Sequence, residues 1–259
     1  ARLVLAYEQI VTRLPNETPL GPSPRAVAAV QAARGEANVY PDGGALHVRD
    51  ALAEKLGVPR DHLILGNGSN EIIEFIGHAL LRAGVEAATS ENAFVAYKLL
   101  TALFGATLVE VPDRDHRFDL EALLGAVTER TRVLFIANPN NPTGTLVGQE
   151  AIDRFMERVP PDLVVVFDEA YFEYLTDAPD TLKFVREGRN VVLLRTFSKI
   201  HGLPGARLGY GIAPPALIKV LQTTREPFHA YGVVHAGPPA GPPGPRPPPA
   251  PAHAPPGDH

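Results

Sequence analysis

The sequence predicts an α/β protein with a mostly parallel central sheet. Between about Asn38 and Thr224, short apolar runs rich in β-branched residues alternate with longer helical stretches. This alternation is typical of a sheet built from βα units. Several of the runs are continuously apolar and end in polar or turn residues, as expected of parallel strands that are buried on both faces.

The predicted strands are Val133–Ala137, Leu163–Phe167 and Val191–Arg195, with shorter ones at Thr107–Val111 and Leu208–Ile212. Helices are predicted at Ser23–Arg34, Leu46–Leu56 and Asn70–Leu81. Pro24 suits the first turn of the first helix, and Gly57 suits the end of the second.

Composition excludes several classes of protein. The chain has 259 residues, 45% of them hydrophobic, and a net charge of -5. It is long enough for a sizeable core, and no basic run marks a nucleic-acid surface. It has no cysteine, so disulfides and thiolate metal sites are excluded, and no window has the roughly 20 apolar residues of a membrane span. We expect a cytoplasmic protein with small-molecule partners. The first residue is not methionine, so we expect the true start to be missing.

Three segments are predicted. Residues 1–37 form an N-terminal arm and helix, and residues 38–228 form the main α/β domain. Residues 229–259 form a tail rich in proline, glycine and alanine, which is expected to be disordered because it has almost no large apolar side chains.

Lys199 is the first candidate for chemistry. A lysine becomes a nucleophile toward carbonyl groups when desolvation or a nearby cation removes its proton. Lys199 lies in Thr196-Phe197-Ser198-Lys199, just after the predicted strand Val191–Arg195. That position is the carboxyl end of the sheet, where α/β proteins bind ligands. For a lone lysine, the alternative is an ordinary surface loop.

Two other predicted strands also end in polar residues. Asp168 follows Leu163–Phe167 and could pair with a protonated pyridine nitrogen; a helix cap or a metal ligand is the alternative. Asn141 follows Val133–Ala137, and its amide could donate to a phenolic oxygen, as could the hydroxyl of Tyr171. As plain structure, the segment around Asn141 is a turn rich in proline and glycine.

A phosphate site is predicted where a glycine-rich turn enters a helix, because backbone N–H groups and the helix dipole favour an anion there. An ordinary helix cap is the alternative. Arg207 and the Thr196 hydroxyl could contact the same phosphate. Phe94 could stack on an aromatic ring or belong to the core. The predicted cradle consists of Gly68, Ser69 and Asn70.

Together these residues resemble the fold-type-I pyridoxal-phosphate (PLP) enzymes, and among them the histidinol-phosphate aminotransferase family. The likeness rests on short motifs that occur in the family's order over about 190 residues. They are Leu14 to Pro24, Tyr40-Pro41-Asp42-Gly43-Gly44, Gly66 to Glu71, Asn141-Pro142-Thr143-Gly144, Asp168-Glu169-Ala170-Tyr171 and Thr196-Phe197-Ser198-Lys199.

The resemblance implies a three-layer αβα fold and a PLP cofactor held by Lys199 as a Schiff base. Ser198 would join the cofactor contacts, and Asn16, Tyr40 and Asn141 would contact substrate. Tyr40 would also reach the phosphate of a neighbouring subunit, which implies a homodimer. The implied substrates are L-histidinol phosphate and 2-oxoglutarate, in histidine biosynthesis.

The family continues past Phe228 into a small C-terminal domain, whereas this sequence changes abruptly to its tail. A C-terminal truncation, through a frameshift or an assembly error, is one hypothesis for the tail, and a proline-rich ligand segment is another. Three alternative functions stay open. They are threonine-phosphate decarboxylation, transamination of aromatic amino acids, and an inactive PLP-binding remnant.

Overall fold

The computed structural model describes residues 16–33, 38, 40 and 42–226. Its centre is one sheet. The strands are β1 (Leu63–Gly66), β2 (Glu86–Ser90), β3 (Thr107–Val111), β4 (Thr131–Ala137), β5 (Val164–Asp168), β6 (Val191–Thr196) and β7 (Gly209–Ile212). They lie in the order β1-β7-β6-β5-β4-β2-β3. Six strands run in one direction, and β7 runs antiparallel to both of its neighbours. The predicted mostly parallel α/β fold is confirmed.

Helices cover both faces of the sheet. In chain order, the described helices are α1 (Pro24–Ala33), α2 (Leu46–Leu56), α3 (Ser69–Leu80), α4 (Val95–Leu103), α5 (Leu120–Gly125), α6 (Gln149–Arg158), α7 (Leu182–Arg186) and α8 (Pro215–Gln222). α3 packs against α4 and α8, and α5 packs against α6. From β1 to β2 and on to β3, the chain crosses the sheet in one direction and passes through α3 and α4. Because crossovers between parallel strands are right-handed, these two helices lie on the same face. From β3 through β4 and β5 to β6 the chain returns in the opposite direction, so α5, α6 and α7 lie on the other face.

Most predicted elements are present with small shifts of their ends. α2 and β3 begin and end where the sequence predicts, and α3 begins one residue earlier. β1 was not predicted, because four residues are too few to show a period. β2 corresponds to a short strand-like stretch that the sequence shows before Phe94, although it begins with the charged residue Glu86. Its carboxylate is 4% exposed and accepts a hydrogen bond from the Thr128 hydroxyl at 2.6 Å, beside Arg130 at 2.5 Å.

The topology brings several chain segments to one edge of the sheet. Parallel strands β4, β5 and β6 end at this edge, and the antiparallel strand β7 begins there. β1 also ends there, and α3 starts three residues after it. Polar residues at these ends therefore lie near one another although they are far apart in the sequence.

Parts of the predicted organisation lie outside the described residues. They include the tail, residues 229–259, and most of the N-terminal arm, so the division into three segments stays a prediction. In the part of the chain that the structure describes, no helix is both long and apolar enough to cross a membrane.

Candidate active site

Most of the predicted site residues line one cleft at the carboxyl edge of the sheet. The cleft lies between the ends of β4, β5 and β6 and the start of α3. Its lining consists of Gly68, Ser69, Asn70, Phe94, Ala137, Pro139, Asn141, Asp168, Ala170, Tyr171, Thr196, Ser198, Lys199 and Arg207. Residues that are up to about 140 positions apart in the sequence thus line one cleft. The sequence predicts this, because polar residues at the carboxyl ends of parallel strands meet at one edge of the sheet.

One end of the cleft is built for an anion. Gly68 precedes α3 with a φ of 75°, and no side chain caps the helix there. A Cβ on Gly68 would lie 2.8 Å from Arg207 Nη2, and a Cβ on Gly209 would lie 2.2 Å from the Ser69 nitrogen. Gly209 therefore excludes a side chain, because backbone lies against it, whereas the Gly68 position favours glycine because L side chains rarely adopt its φ of 75°. The uncapped N–H groups at a helix start form an anion site.

Arg207 supplies a cation beside this helix start. Its backbone is left-handed, with a φ of 50°, directly after the 3-10 turn Pro204–Ala206. The guanidinium donates to the Asn67 carbonyl oxygen at 3.1 Å and to the Pro204 carbonyl oxygen at 3.1 Å. Two backbone contacts thus hold the charge in place. The hydroxyls of Thr196 and Ser198, 3.0 Å apart, lie in the same lining.

Asp168 presents a buried carboxylate to the cleft. The residue is 5% exposed, and it accepts hydrogen bonds from the Tyr97 hydroxyl at 2.8 Å and the Ala170 N–H at 3.2 Å. Burial raises the pKa of Asp168, although these bonds and the charge of Lys199 favour the anion. The described residues contain no group of acidic or histidine side chains suited to a metal ion. The arrangement suits a cationic ligand atom in the cleft.

Lys199 and Tyr171 lie together at the cleft. The Lys199 Nζ is 5.4 Å from the centroid of the Tyr171 ring. The Tyr171 hydroxyl oxygen accepts a hydrogen bond from Asn16 Nδ2 at 2.9 Å. The lining of the cleft therefore includes the Lys199 amine, the Tyr171 phenol and the buried Asp168 carboxylate.

The loop of Asn141 is held by its neighbours. Asn138 is buried, donates from Nδ2 to the Val147 carbonyl oxygen at 2.9 Å and accepts from the Val147 N–H at 2.8 Å. Asn140 Nδ2 donates to the Asn92 carbonyl oxygen at 2.9 Å. The peptide bonds before Pro139 and Pro142 are both cis. The hydrogen bonds of Asn138 and Asn140 hold the loop in which Asn141 lines the cleft.

Phe94 lies between the cleft and the core. It lines the cleft, and its ring also packs edge-on against Tyr97, with the centroids 5.7 Å apart. Tyr97 in turn stacks on Phe135 at 4.7 Å with an interplanar angle of 5°. An aromatic layer therefore runs from the core to the cleft.

A buried polar cluster behind the site was not predicted. Arg195 Nε donates to Glu169 Oε2 at 2.8 Å, and the two side chains are 9% and 3% exposed. The Thr181 hydroxyl donates to the same carboxylate, and the guanidinium carbon lies 3.7 Å from the Phe172 ring centroid. Burial raises the pKa of Glu169. Burial acts to lower the pKa of Arg195, but the Glu169 charge leaves it above its ordinary value.

This cluster connects three strands. Arg195 of β6 is paired in register with Tyr210 of β7, whose pKa burial raises to about 12. Glu169 follows β5 directly. Asp168 and Thr196, the neighbours of Glu169 and Arg195, line the cleft instead. Because side chains alternate along a strand, the ion pair lies on the opposite face and ties together the strand ends that carry the site.

Two predicted residues lie outside the lining. Tyr40 is 81% exposed, and Asn16 reaches the site only through Tyr171. Tyr97 was missed, although it contacts Asp168. Its position three residues after Phe94 places it near Phe94 on a helix, and that spacing could have identified it.

Known proteins that this chain is similar to are described as aminotransferases. A family model described as aminotransferase class I and II matches residues 14–240. A histidinol-phosphate aminotransferase from Akkermansia muciniphila is 53% identical over 230 residues, which cover 88% of this chain and 63% of that protein. Another from Moorella thermoacetica is 46% identical over 228 residues, covering 87% and 59%.

A solved structure shows the same likeness. The histidinol-phosphate aminotransferase from Sinorhizobium meliloti, in complex with pyridoxal-5'-phosphate, superposes with a TM-score of 0.81 at 32% identity, over 85% of this chain and 61% of that chain. The chain thus spans less than two thirds of the length of these relatives. The resemblance to histidinol-phosphate aminotransferases is confirmed. Since the family model covers most of its length, the chain belongs to the class I and II aminotransferases.

Proposed function

We propose that this protein is a PLP-dependent aminotransferase that acts on L-histidinol phosphate and 2-oxoglutarate. The observation that carries the proposal is a single cleft that combines the Lys199 amine, the buried Asp168 carboxylate and an anion site at the start of α3. The names of the relatives support the choice of substrates.

The residues of the cleft fit PLP in three separate places. The cofactor has a phosphate, a pyridine nitrogen that carries a proton, and a phenolic oxygen beside an aldehyde. The α3 start with Arg207 suits the phosphate, and Gly209 has room only for hydrogen at its Cα atom because the Ser69 backbone lies against it. Asp168 is a buried carboxylate whose hydrogen bonds come from neutral donors. Asn141 and Tyr171 offer donors to an oxygen.

When bound, PLP supplies an aldehyde for amine exchange and an electron-withdrawing ring. Asp168 holds the proton on the ring nitrogen, because a buried anion favours a neighbouring cation. Lys199 Nζ is the amine that would hold the cofactor through its aldehyde, and the same amine would serve as the base for the proton on the substrate α-carbon. Phe94 supplies an aromatic surface for one ring face, and the hydroxyls of Thr196 and Ser198 add donors at the phosphate.

The proposal includes a cytoplasmic homodimer with shared sites. Tyr40 is 81% exposed, which suits a phenol that serves a neighbouring subunit. Val95, Leu99 and Leu103 form an exposed apolar row on α4, at 58%, 64% and 70% exposure, and a subunit contact would bury such a row. Asn16 and Asn141 complete the proposed substrate contacts. Light scattering during size-exclusion chromatography tests the dimer, and a monomer mass at micromolar concentration would contradict it.

Cofactor attachment is tested directly by reduction with borohydride. After incubation with PLP, the wild-type protein is expected to show a visible absorbance band. Borohydride should then leave the cofactor's mass on the peptide that contains Lys199. Lys199→Ala should lose the band and the mass. Lys219→Ala, at an exposed position on α8, is the matched control and should keep both. A band that survives in Lys199→Ala would refute the assignment of this lysine.

The reaction is tested with the loaded wild-type chain. Histidinol phosphate with 2-oxoglutarate should yield glutamate in equal amount to the phosphate substrate consumed. Release of carbon dioxide from threonine phosphate would indicate the decarboxylase instead. Turnover of an aromatic amino acid in preference to histidinol phosphate would indicate the aromatic aminotransferase. A band that no amino donor changes would identify a cofactor-binding protein without transferase activity.

A further inference from the structure

The N-terminal segment, residues 16–22, is seated on the turn that carries Lys199. Gly202 N donates to the Lys199 carbonyl oxygen at 3.0 Å, which closes this turn. A Cβ on Gly202 would lie 2.4 Å from the Gly21 carbonyl oxygen and 2.8 Å from the Pro22 nitrogen. The two backbones therefore touch at a point where a side chain has no room.

The same segment makes one side-chain contact with the cleft lining. Asn16, with a left-handed φ of 52°, donates from Nδ2 to the Tyr171 hydroxyl oxygen at 2.9 Å. The two residues are 155 positions apart. The Gly21–Gly202 contact and this hydrogen bond are separate attachments, and together they place the Asn16 amide beside the phenol.

The direction of this hydrogen bond determines what the phenol can do. A phenol has one hydrogen to donate and an oxygen that can accept. Because the Asn16 amide donates to that oxygen, the phenol keeps its own hydrogen for a different partner. Tyr171 lines the cleft, so an acceptor bound there can receive it. Donation to the oxygen also polarises the phenol and strengthens its donation onward.

We propose that Asn16 is a positioning residue that directs the Tyr171 hydroxyl hydrogen into the cleft. The inference rests on the proposed function for the identity of the acceptor, which is the phenolic oxygen of the cofactor. It adds to the predicted role of Asn16 in substrate binding, because it gives the side-chain amide a partner within the protein. The N-terminal segment then helps to set the protonation equilibrium of the bound cofactor.

The test is the pH midpoint of the visible absorbance of the PLP-loaded full chain. A donor to the phenolic oxygen stabilises its anionic form, so removal of the donor raises the midpoint. Tyr171→Phe should raise it by roughly one pH unit or more. Asn16→Asp should give a similar rise, because a carboxylate accepts the phenol hydrogen and withdraws it from the cleft. Asn16→Ala should give a smaller rise, roughly half a unit.

The double variant separates positioning from general damage. In the Tyr171→Phe background, Asn16→Ala should produce no further shift, since the hydroxyl that it acts on is gone. Glu17→Ala, in the same segment, is the matched control and should leave the midpoint unchanged. A shift from Asn16→Ala that persists without the Tyr171 hydroxyl would overturn the proposal, as would an unchanged midpoint in Asn16→Asp.

A second measurement needs no cofactor. In protein labelled with 13C at tyrosine Cζ, the Tyr171 signal is identified by its loss in Tyr171→Phe. It should move in Asn16→Ala and stay in place in Glu17→Ala. If the signal does not move, Asn16 does not contact the hydroxyl and the inference is refuted. If the signal moves but wild-type protein gives no visible band with PLP, the positioning contact stands and the proposed function fails.

Discussion

Asp168 and Glu169 are adjacent carboxylates at the end of β5, yet they lie in opposite surroundings. Both are buried, at 5% and 2% exposure. Asp168 points toward α4, where the Tyr97 hydroxyl donates to it, and it lines the cleft. Glu169 points to the other face of the sheet and forms an ion pair with Arg195 at 2.8 Å.

The difference between the two residues lies in their partners. Burial raises the pKa of both carboxyls. For Glu169 a guanidinium and the Thr181 hydroxyl offset that penalty inside the protein. For Asp168 the Tyr97 hydroxyl and the Ala170 N–H are neutral donors, and the charge of Lys199 also favours the anion. A buried carboxylate that faces a cleft in this state indicates a functional site, whereas the paired carboxylate has a structural role.

The largest expected effect comes from separating the ion pair. Arg195→Ala leaves the Glu169 carboxylate buried without its cation, so the free energy of unfolding should fall by about 3–5 kcal/mol. Urea denaturation of the cofactor-free protein, followed by circular dichroism, measures this loss. The double replacement Arg195→Met with Glu169→Leu is the control. It should recover most of the stability, because it removes both charges and keeps the volume. A loss below about 1 kcal/mol in Arg195→Ala would assign the pair no structural role.

The next effect is on chemistry and belongs to Asp168. Asp168→Asn keeps the size of the side chain but removes the charge proposed to hold the ring proton. The rate of the reaction with an amino donor should fall by about 10²–10³, or about 2.7–4 kcal/mol in activation free energy. Single-turnover absorbance of the loaded protein measures the rate. Glu169→Gln is the matched control at the adjacent residue. It should lower the free energy of unfolding, while its reaction rate stays within about tenfold of the wild-type rate. Equal rate losses in Asp168→Asn and Glu169→Gln would contradict the assignment of a functional role to Asp168 and a structural role to Glu169.

The same variant has a pH signature in the cofactor-free protein. The folded-state pKa of Asp168 is raised, so its effect on stability is most favourable while the carboxyl is protonated. That contribution is lost as the pH rises through the folded pKa. Below about pH 4 the wild type and Asp168→Asn should therefore have equal free energies of unfolding. Above that pH the wild type should become less stable than the variant. A difference that does not vary with pH would contradict the raised pKa.

The sequence predicts the residues that line the cleft more completely than it predicts the contacts that hold those residues in place. Asp168, Asn141 and Lys199 were found because residues at the carboxyl ends of parallel strands meet at one edge, whatever the order of the strands. The Glu169–Arg195 pair depends on β5 lying beside β6, and the Tyr97–Asp168 bond joins residues 71 positions apart. Such contacts follow from strand order and helix placement, which local patterns do not specify.

The same limit explains the missed strand β1. It is an edge strand that pairs with β7, with Leu63 opposite Ile212, and it is buried because α2, α3 and α8 pack against it. Its three consecutive apolar residues are too few to distinguish a strand from a short buried turn. Conversely, Gly68 was predicted from its local turn. The close approach of Arg207 Nη2 to this glycine appears only in three dimensions.

The smallest expected effect tests the neutral donor that distinguishes Asp168. Tyr97→Phe removes the hydroxyl at 2.8 Å and preserves the stacking on Phe135. Because that hydroxyl favours the Asp168 anion, its loss raises the pKa of the carboxyl further. The variant should lose about 1–2 kcal/mol of unfolding free energy at neutral pH. The loss should shrink as the pH falls through the folded pKa, where the carboxyl is protonated in both proteins. Denaturation curves at several pH values, repeated in the Asp168→Asn background, isolate the contact. An equal loss in that background would show that Tyr97 acts through packing and not through Asp168.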